Sequence, residues 1–443
     1  MGGFMVSRTF LQKIMQVSLV VLLFILVGSN AIHVNAEGQA GTKRTLKVMY
    51  QAKYLFDEAL FKKQFPDVVI QEVPWDRQTE LNEFIAKQSP DVIMLNPVEY
   101  KQLSKNNQLQ DVGQLIQRDS YATETIYPGL LDALKVNGKL YGLSPYFNTE
   151  SIFYNVDLFK KYNVPLPKDG MTWEEILKLA AKFPTKGSKD TRVWGLYYPL
   201  DNYVYLINDM ATSEGLSRYD ANTLKVTIHT PAWKKLYSTA IMAMKSGTIE
   251  GSNKVGFAND PFIMGRAAMT VSTVSMDTLR KVTADKSAIA NYKSFAWGIA
   301  AGPADPKDRT QTRNVTLPAI MAIPAKSANS DLAWDFIQFY NGVDYAKSRS
   351  GSFSGYSLSR MEDSQEYQEH RLDAFYKLKP NLDSPPRLEP KGIPFDNQKY
   401  SIIVTSEIKQ VLNNKKTLDK ALISIQTQVQ ASLDQVMKKQ TKK

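Results

Sequence analysis

Cysteine is absent from the 443 residues. Disulfides, thiolate metal sites and cysteine nucleophiles are excluded with it. Histidine is nearly absent: of three residues, only His229 and His370 lie beyond the leader-like start, far apart and without His-x-x-x-His spacing. The chain also lacks a Gly-x-Ser-x-Gly elbow, a Gly-x-x-x-x-Gly-Lys-(Ser/Thr) phosphate loop and a Gly-x-Gly-x-x-Gly turn; in Gly351–Gly355 the central residue is Phe353. These gaps argue against the nucleophilic, nucleotide-binding and metal-dependent activities that such motifs mark. No arginine-rich run or zinc module is present, and basic residues are interspersed with acids, which argues against nucleic-acid binding. No cofactor and no metal is expected. Paired carboxylates for glycoside hydrolysis stay open, because a sequence does not show their separation. Glu99, Glu150 and Asp201 are the candidates for that alternative, a secreted glycan hydrolase.

The chain is long enough for two or three domains with sizeable cores. Its start combines Arg8 and Lys13, an apolar run from Val17 to Val27, and small residues at Val34 and Ala36. That pattern predicts a secretory signal peptide over residues 1–36, and the run is short of the ~20 residues a membrane span needs. Removing it takes the net charge from +11 to +9. A basic surface of this kind favours solubility or an anionic surrounding. Residues 37–44 read as a polar tether.

Leu46–Tyr50, Val68–Val73 and Val92–Leu95 read as strands, separated by helices over about Tyr54–Phe65 and Glu80–Lys87. This β-α-β-α-β rhythm predicts an open α/β sheet. Ligands of such sheets sit outside the carboxyl ends of the strands, which places Tyr50 and Asn96 beside a cleft. Lys101–Tyr121 reads as two helical turns and a loop. Ser151–Asn155 is a run of strong β-formers, with Asp157 as the expected N-cap of a helix over Leu158–Tyr162. Thr172-Trp173-Glu174-Glu175 fits a capping box ahead of the stripe Ile176, Leu177, Ala180 and Phe183. Further on, strands are expected at Val193–Tyr197, Ala268–Ser272, Ala296–Gly302 and Pro318–Ile323. Helices are expected at Ala232–Lys245, Asp331–Tyr340, Lys399–Asn413 and Leu418–Lys438. Trp173, Trp297 and Trp334 read as core.

The blocks Tyr141-Gly142-Leu143, Tyr154-Asn155-Val156-Asp157-Leu158-Phe159 and Thr172-Trp173-Glu174-Glu175, with Asp260 to Met269, resemble the extracellular solute-binding proteins, family 1, that serve ABC importers. The resemblance covers about residues 45–435. It departs at Ser144, inserted before the family's proline, and at the Gly351 loop, which lacks one. Leu26-Val27-Gly28-Ser29 looks like a lipobox with Ser29 in place of the acylated cysteine.

The resemblance implies an α/β, two-lobe, periplasmic-binding-protein-like (type II) fold with a ligand cleft between lobes. The first lobe would hold residues 45–147 and 303–357, the second 148–302 and 358–443. It implies capture of a carbohydrate, an oligosaccharide by expectation, by lobe closure at the outer face of a bacterial membrane. The monomeric protein would deliver it to ABC permease subunits; a sensor kinase as recipient is the other reading. The expected ligand contacts are Tyr50, Asn96, Glu99, Tyr146, Asn148, Asp201, Tyr203, Ser272, Ser275, Tyr356 and Tyr400. Flat rings match the CH face of a sugar, while amides and carboxylates match its hydroxyl rim.

Overall fold

The computed structural model describes residues 43–51, 56–188, 192–198, 203–220, 222–250, 260–273, 292–349, 356–361, 366–367, 370–383 and 397–440. The expected signal peptide and the expected contacts Asp201 and Ser275 lie outside them.

The chain opens with three parallel strands, β1 (Arg44–Tyr50), β2 (Val68–Pro74) and β3 (Val92–Leu95), with β1 in the middle. Helix α1 (Glu58–Gln64) is shorter than its apolar spacing suggests, because the Asp57 carboxylate accepts the Ala59 and Leu60 amides and starts it there. Helix α2 (Leu81–Gln88) follows. The Lys101–Tyr121 region holds parts of two helices, α3 (Pro97–Lys105) and α4 (Val112–Arg118). After α5 (Leu130–Leu134) comes β4 (Gly142–Leu143). The sheet is closed from far down the chain: β13 (Ile320–Ala322) inserts between β3 and β4, antiparallel to both. The order is β2-β1-β3-β13-β4.

A second sheet follows the order β10-β6-β9-β7-β8. It is made of β6 (Ser151–Asn155), β7 (Trp194–Tyr197), β8 (Ile249–Glu250), β9 (Ala267–Ser272) and β10 (Trp297–Ala301). Helix α6 (Val156–Lys161) corrects one expectation. Its N-cap is Asn155, whose side chain accepts the Leu158 amide; Asp157 instead accepts the Ala296 amide from the end of the neighbouring segment. Helix α7 (Trp173–Ala180) starts as expected, with Thr172 and Glu175 exchanging both bonds of a capping box. Helices α8 (Tyr203–Ser213) and α9 (Pro231–Lys245) complete this part.

Between the sheets lies a three-stranded ribbon of β12 (Val315–Thr316), β5 (Tyr146–Thr149) and β14 (Ser357–Leu358), with β5 central. Beside it, β11 (Gln311–Thr312) pairs with Lys379–Pro380.

The buried apolar residues gather in two main cores, and the first also takes in Phe153, Trp194 and Trp297 of the second sheet. One gathers Val48, Ile93 and Ile320 with Trp334 and Phe336 of α10 (Ser330–Tyr340), followed by α11 (Val343–Arg349). The other gathers Ile152, Leu196 and Met269 with the stripes of α12 (Asn397–Leu412) and α13 (Leu418–Gln440). Trp173 and Trp334, at 2% and 0% exposure, are core as expected, and Trp297 is buried too. Among the described residues, no helix is long and apolar enough to cross a membrane.

Candidate functional site

Strand direction decides where a ligand can approach. β1, β2 and β3 are parallel, and β4 runs with them because both it and β3 oppose β13. One edge of the first sheet therefore collects the strand ends at Tyr50, Pro74, Leu95 and Leu143. In the second sheet β7, β8, β9 and β10 share a direction, opposed by β6. Their ends at Tyr197, Glu250, Ser272 and Ala301 meet the start of β6 at Ser151. β5 leaves the first edge just after β4 and delivers the chain to the second edge at Ser151. Both edges thus flank one ribbon, with the cleft between them.

At the first edge Tyr50 donates its hydroxyl to Glu72 at 2.5 Å and packs edge-on against Phe56. The Glu72 bond, with burial, pushes its pKa up to about 12, so it remains a neutral donor. Asn96 and Glu99 form the capping box of α3: the Asn96 side chain accepts the Val98 and Glu99 amides, and Glu99 accepts the Asn96 amide at 2.9 Å. Glu99 also accepts the Gln51 carboxamide at 3.2 Å and lies 3.5 Å from the Arg77 guanidinium. Burial raises its pKa, although the surrounding donors oppose this. Gln51 and Arg77 were missed in the sequence reading, although each follows a strand end, the position that strand direction singles out.

At the second edge Ser272 ends β9, half-buried, opposite Ser151. Tyr203 opens α8. Two residues on, Tyr205 is 52% exposed, another residue the sequence reading passed over. Tyr198, just past β7, donates its hydroxyl to Asp209 of α8. Asp260 accepts the Phe262 and Ile263 amides, and burial pushes its pKa up to about 6.

In the ribbon, Asn148 is half-buried and pairs with Thr316. Tyr146 is a correction: it is buried, its hydroxyl 2.6 Å from that of Tyr345, and Tyr356 packs against its ring at 6.5 Å. Tyr400 is a second correction. It is 2% exposed within the second core, under the Arg218 guanidinium at 4.3 Å. Its spacing to Ile403, Val404, Ile408 and Val411 makes it part of the buried stripe of α12. Among the described residues, no group of three or more His, Asp or Glu side chains could hold a metal ion.

The family model of the bacterial extracellular solute-binding proteins matches residues 43–347. A mannitol-binding protein of Pseudomonas aeruginosa is 24% identical over 229 residues, 51% of each chain. The sn-glycerol-3-phosphate-binding periplasmic protein UgpB of Escherichia coli K12 is 23% identical over 298 residues, 63% of this chain and 64% of its own. The chain thus matches about half to under two thirds of the length of these curated relatives. Among solved structures, the sugar-binding protein MalE of Xanthomonas citri aligns with a TM-score of 0.62 and 17% identity, covering 88% of this chain and 98% of that one. A solute-binding protein of Agrobacterium vitis with bound D-mannitol aligns at 0.52 and 22% identity, covering 88% and 98%. Both share the two-lobe, type II architecture described above. With its model matched from β1 to α11, the chain belongs to the bacterial extracellular solute-binding protein family.

Proposed function

We propose that this protein captures a carbohydrate or polyol in the cleft between its lobes and delivers it to the permease of an ABC importer. One observation carries the reading: the two sheet edges meet across a ribbon, one bearing the polar cluster of Gln51, Arg77 and Glu99, the other the exposed ring of Tyr205. A sugar needs both, a hydroxyl rim and a flat apolar face. Asn96 caps the helix that carries Glu99, Asn148 lies in the ribbon and Ser272 ends β9; these, with Asp201, Tyr203 and Ser275 through the family resemblance, are the proposed ligand contacts. The ligand stabilises the closed arrangement by its differential affinity for it, and the closed surface is what a permease reads. No bond is broken. Named relatives that bind mannitol, maltose or cycloalternan agree with this class. The engagement of the hydrolase candidates supports binding over turnover: Glu99 caps a helix and Glu150 accepts the Asn314 carboxamide. The protein acts at the outer face of the cell membrane, as a monomer.

A thermal-shift screen against mono- and oligosaccharides, polyols and uronides tests the reading. A ligand at about 100 times its dissociation constant adds about 2.7 kcal/mol. A clear shift with the solute recovered intact is expected. A shift that fades as the sugar is cleaved would move the assignment to a hydrolase, and silence across the panel would overturn it.

A further inference from the structure

We propose that the end of the second lobe that faces away from the cleft is a docking surface for a membrane bearing anionic lipid headgroups. The inference goes beyond solute capture and does not depend on it, since attachment to vesicles is read without any solute.

The sequence supplies the charge. Residues 158–168 and 176–188 carry six lysines, Lys160, Lys161, Lys168, Lys178, Lys182 and Lys186, and no acid. The topology then gathers four of them. β7, β8, β9 and β10 end at the cleft and β6 starts there, so the other edge of that sheet holds their starts and the end of β6 at Asn155. α6 begins at this edge, where the Val156 amide donates to the Ala296 carbonyl at 2.8 Å. α7 ends at it: the carbonyl of its last residue, Ala180, lies against Gly195 near the start of β7. Phe183 ties the two helix ends together, its ring 4.9 Å from that of Phe159 and 5.9 Å from that of Tyr162. The Arg192 amide donates to the Ser188 carbonyl at 2.9 Å, which holds the stretch after Lys186 against the same edge. Lys160, Lys161, Lys182 and Lys186 therefore share one end of the lobe with Lys293, which leads into β10.

All five are exposed, and none has an acidic partner among the described residues. Asp157, at the start of α6, is already accepting the Ala296 amide. The matching edge of the first sheet sets acids beside its bases: Arg44, opening β1, pairs with Asp67 at 2.7 Å, and Asp91 precedes β3. A plainer role for the lysines, complementing the negative ends of helices, covers Lys160 and Lys161 in the last turn of α6. It does not reach Lys186, well past α7, or Lys293, ahead of a strand. Flexible lysines spread over two helix ends and a strand lead-in suit a plane of headgroups, where each cation strengthens attachment about fivefold. Their alkyl stems can lie along the apolar boundary while the ammonium groups stay among the headgroups. Attachment here leaves the cleft edge uncovered.

The test is co-sedimentation of the mature protein with vesicles of phosphatidylglycerol and phosphatidylcholine in equal parts, and with vesicles of phosphatidylcholine alone. K160Q/K161Q/K182Q/K186Q is compared with wild type and with K63Q/K87Q/K105Q/K326Q, which removes the same charge from exposed lysines of the first lobe. Wild type is expected to bind only the anionic vesicles and to be released at about 1 M salt, where the screening length falls to about 3 Å. The second-lobe variant should bind about a hundredfold or more weakly, and the first-lobe variant less than about fivefold more weakly. K182Q/K186Q alone, which touches neither helix, should lose about twentyfold with its melting temperature unchanged, so a folding defect in α6 does not decide the result. Equal losses in the two fourfold variants would overturn the inference, as would equal binding of wild type to both kinds of vesicle. Attachment to soluble poly(glycerol phosphate) with none to the vesicles would also overturn it and make this end of the lobe a polymer site.

Discussion

Asn314 bridges Glu150 and Ser213: its carboxamide nitrogen donates to the Glu150 carboxylate at 2.5 Å, and its oxygen accepts the Ser213 hydroxyl at 2.8 Å. Glu150 lies between β5 and β6, Asn314 just before β12, and Ser213 at the end of α8. Two of the chain's passages between lobes are therefore tied to the helix whose other end carries Tyr205. Asn314 is buried, so its partners would be left unsatisfied without it. N314A should cost about 2–3 kcal/mol in urea unfolding, and N314D more at neutral pH, where it sets a second carboxylate beside Glu150. A loss within measurement error would show that the bridge is dispensable.

Asp260 predicts a pH dependence. Burial raises its folded pKa from an ordinary 3.8 to about 6. The folded state then holds the proton more tightly than the unfolded state. The stabilisation from this group is full below about pH 4 and is lost as pH rises through 6, on the order of 2–3 kcal/mol in all. D260N cannot ionise, so its stability relative to wild type should be greater at pH 7.5 than at pH 4.5. Denaturation midpoints of both proteins between those values provide the check, and a difference independent of pH would contradict the assignment.

Two glycines should respond to alanine for different reasons. At Gly195 in β7 an added Cβ would stand 2.0 Å from the Ala180 carbonyl oxygen, so G195A must push the strand from α7, a loss of about 3 kcal/mol. At Gly138 nothing lies within 4 Å, and only its left-handed φ of 77° is at stake. G138A should cost about 1 kcal/mol. Thermal unfolding of the pair separates crowding from backbone strain.

Y205A should leave stability within about 0.5 kcal/mol, because the ring is exposed. It should weaken carbohydrate binding about tenfold if the ring covers a sugar face. Titration with the solute found in the screen decides this; equal affinity would remove Tyr205 from the site.

Much of this architecture is written locally. The Thr172–Glu175 box, the β-formers of Ser151–Asn155 and the apolar stripe of α13 each sit within a few turns of chain, and each appears where its pattern places it. Adjacent alternatives are harder to read. Asn155 and Asp157 can both cap a helix, and the choice falls to Asn155 because the Ala296 amide claims Asp157. Tyr400 carried a readable warning in its spacing to Ile403 and Val404, which marks a buried face rather than a cleft. In the Gln51–Arg77–Glu99 cluster the strand ends are locally legible but the contacts are not, since they depend on the ends of three strands converging. Tyr146 was misjudged for a related reason: its partner Tyr345 lies almost two hundred residues away.

The insertion of β13 between β3 and β4 sets a timetable for the growing chain. The first sheet stays split until residue 322 is available, and its core lacks Trp334 until later still. The second core waits for Leu433 at the far end of α13. Neither half can complete itself until most of the polypeptide has been made, and contacts so distant in sequence form slowly. The chain's topology delays collapse until its last helices arrive.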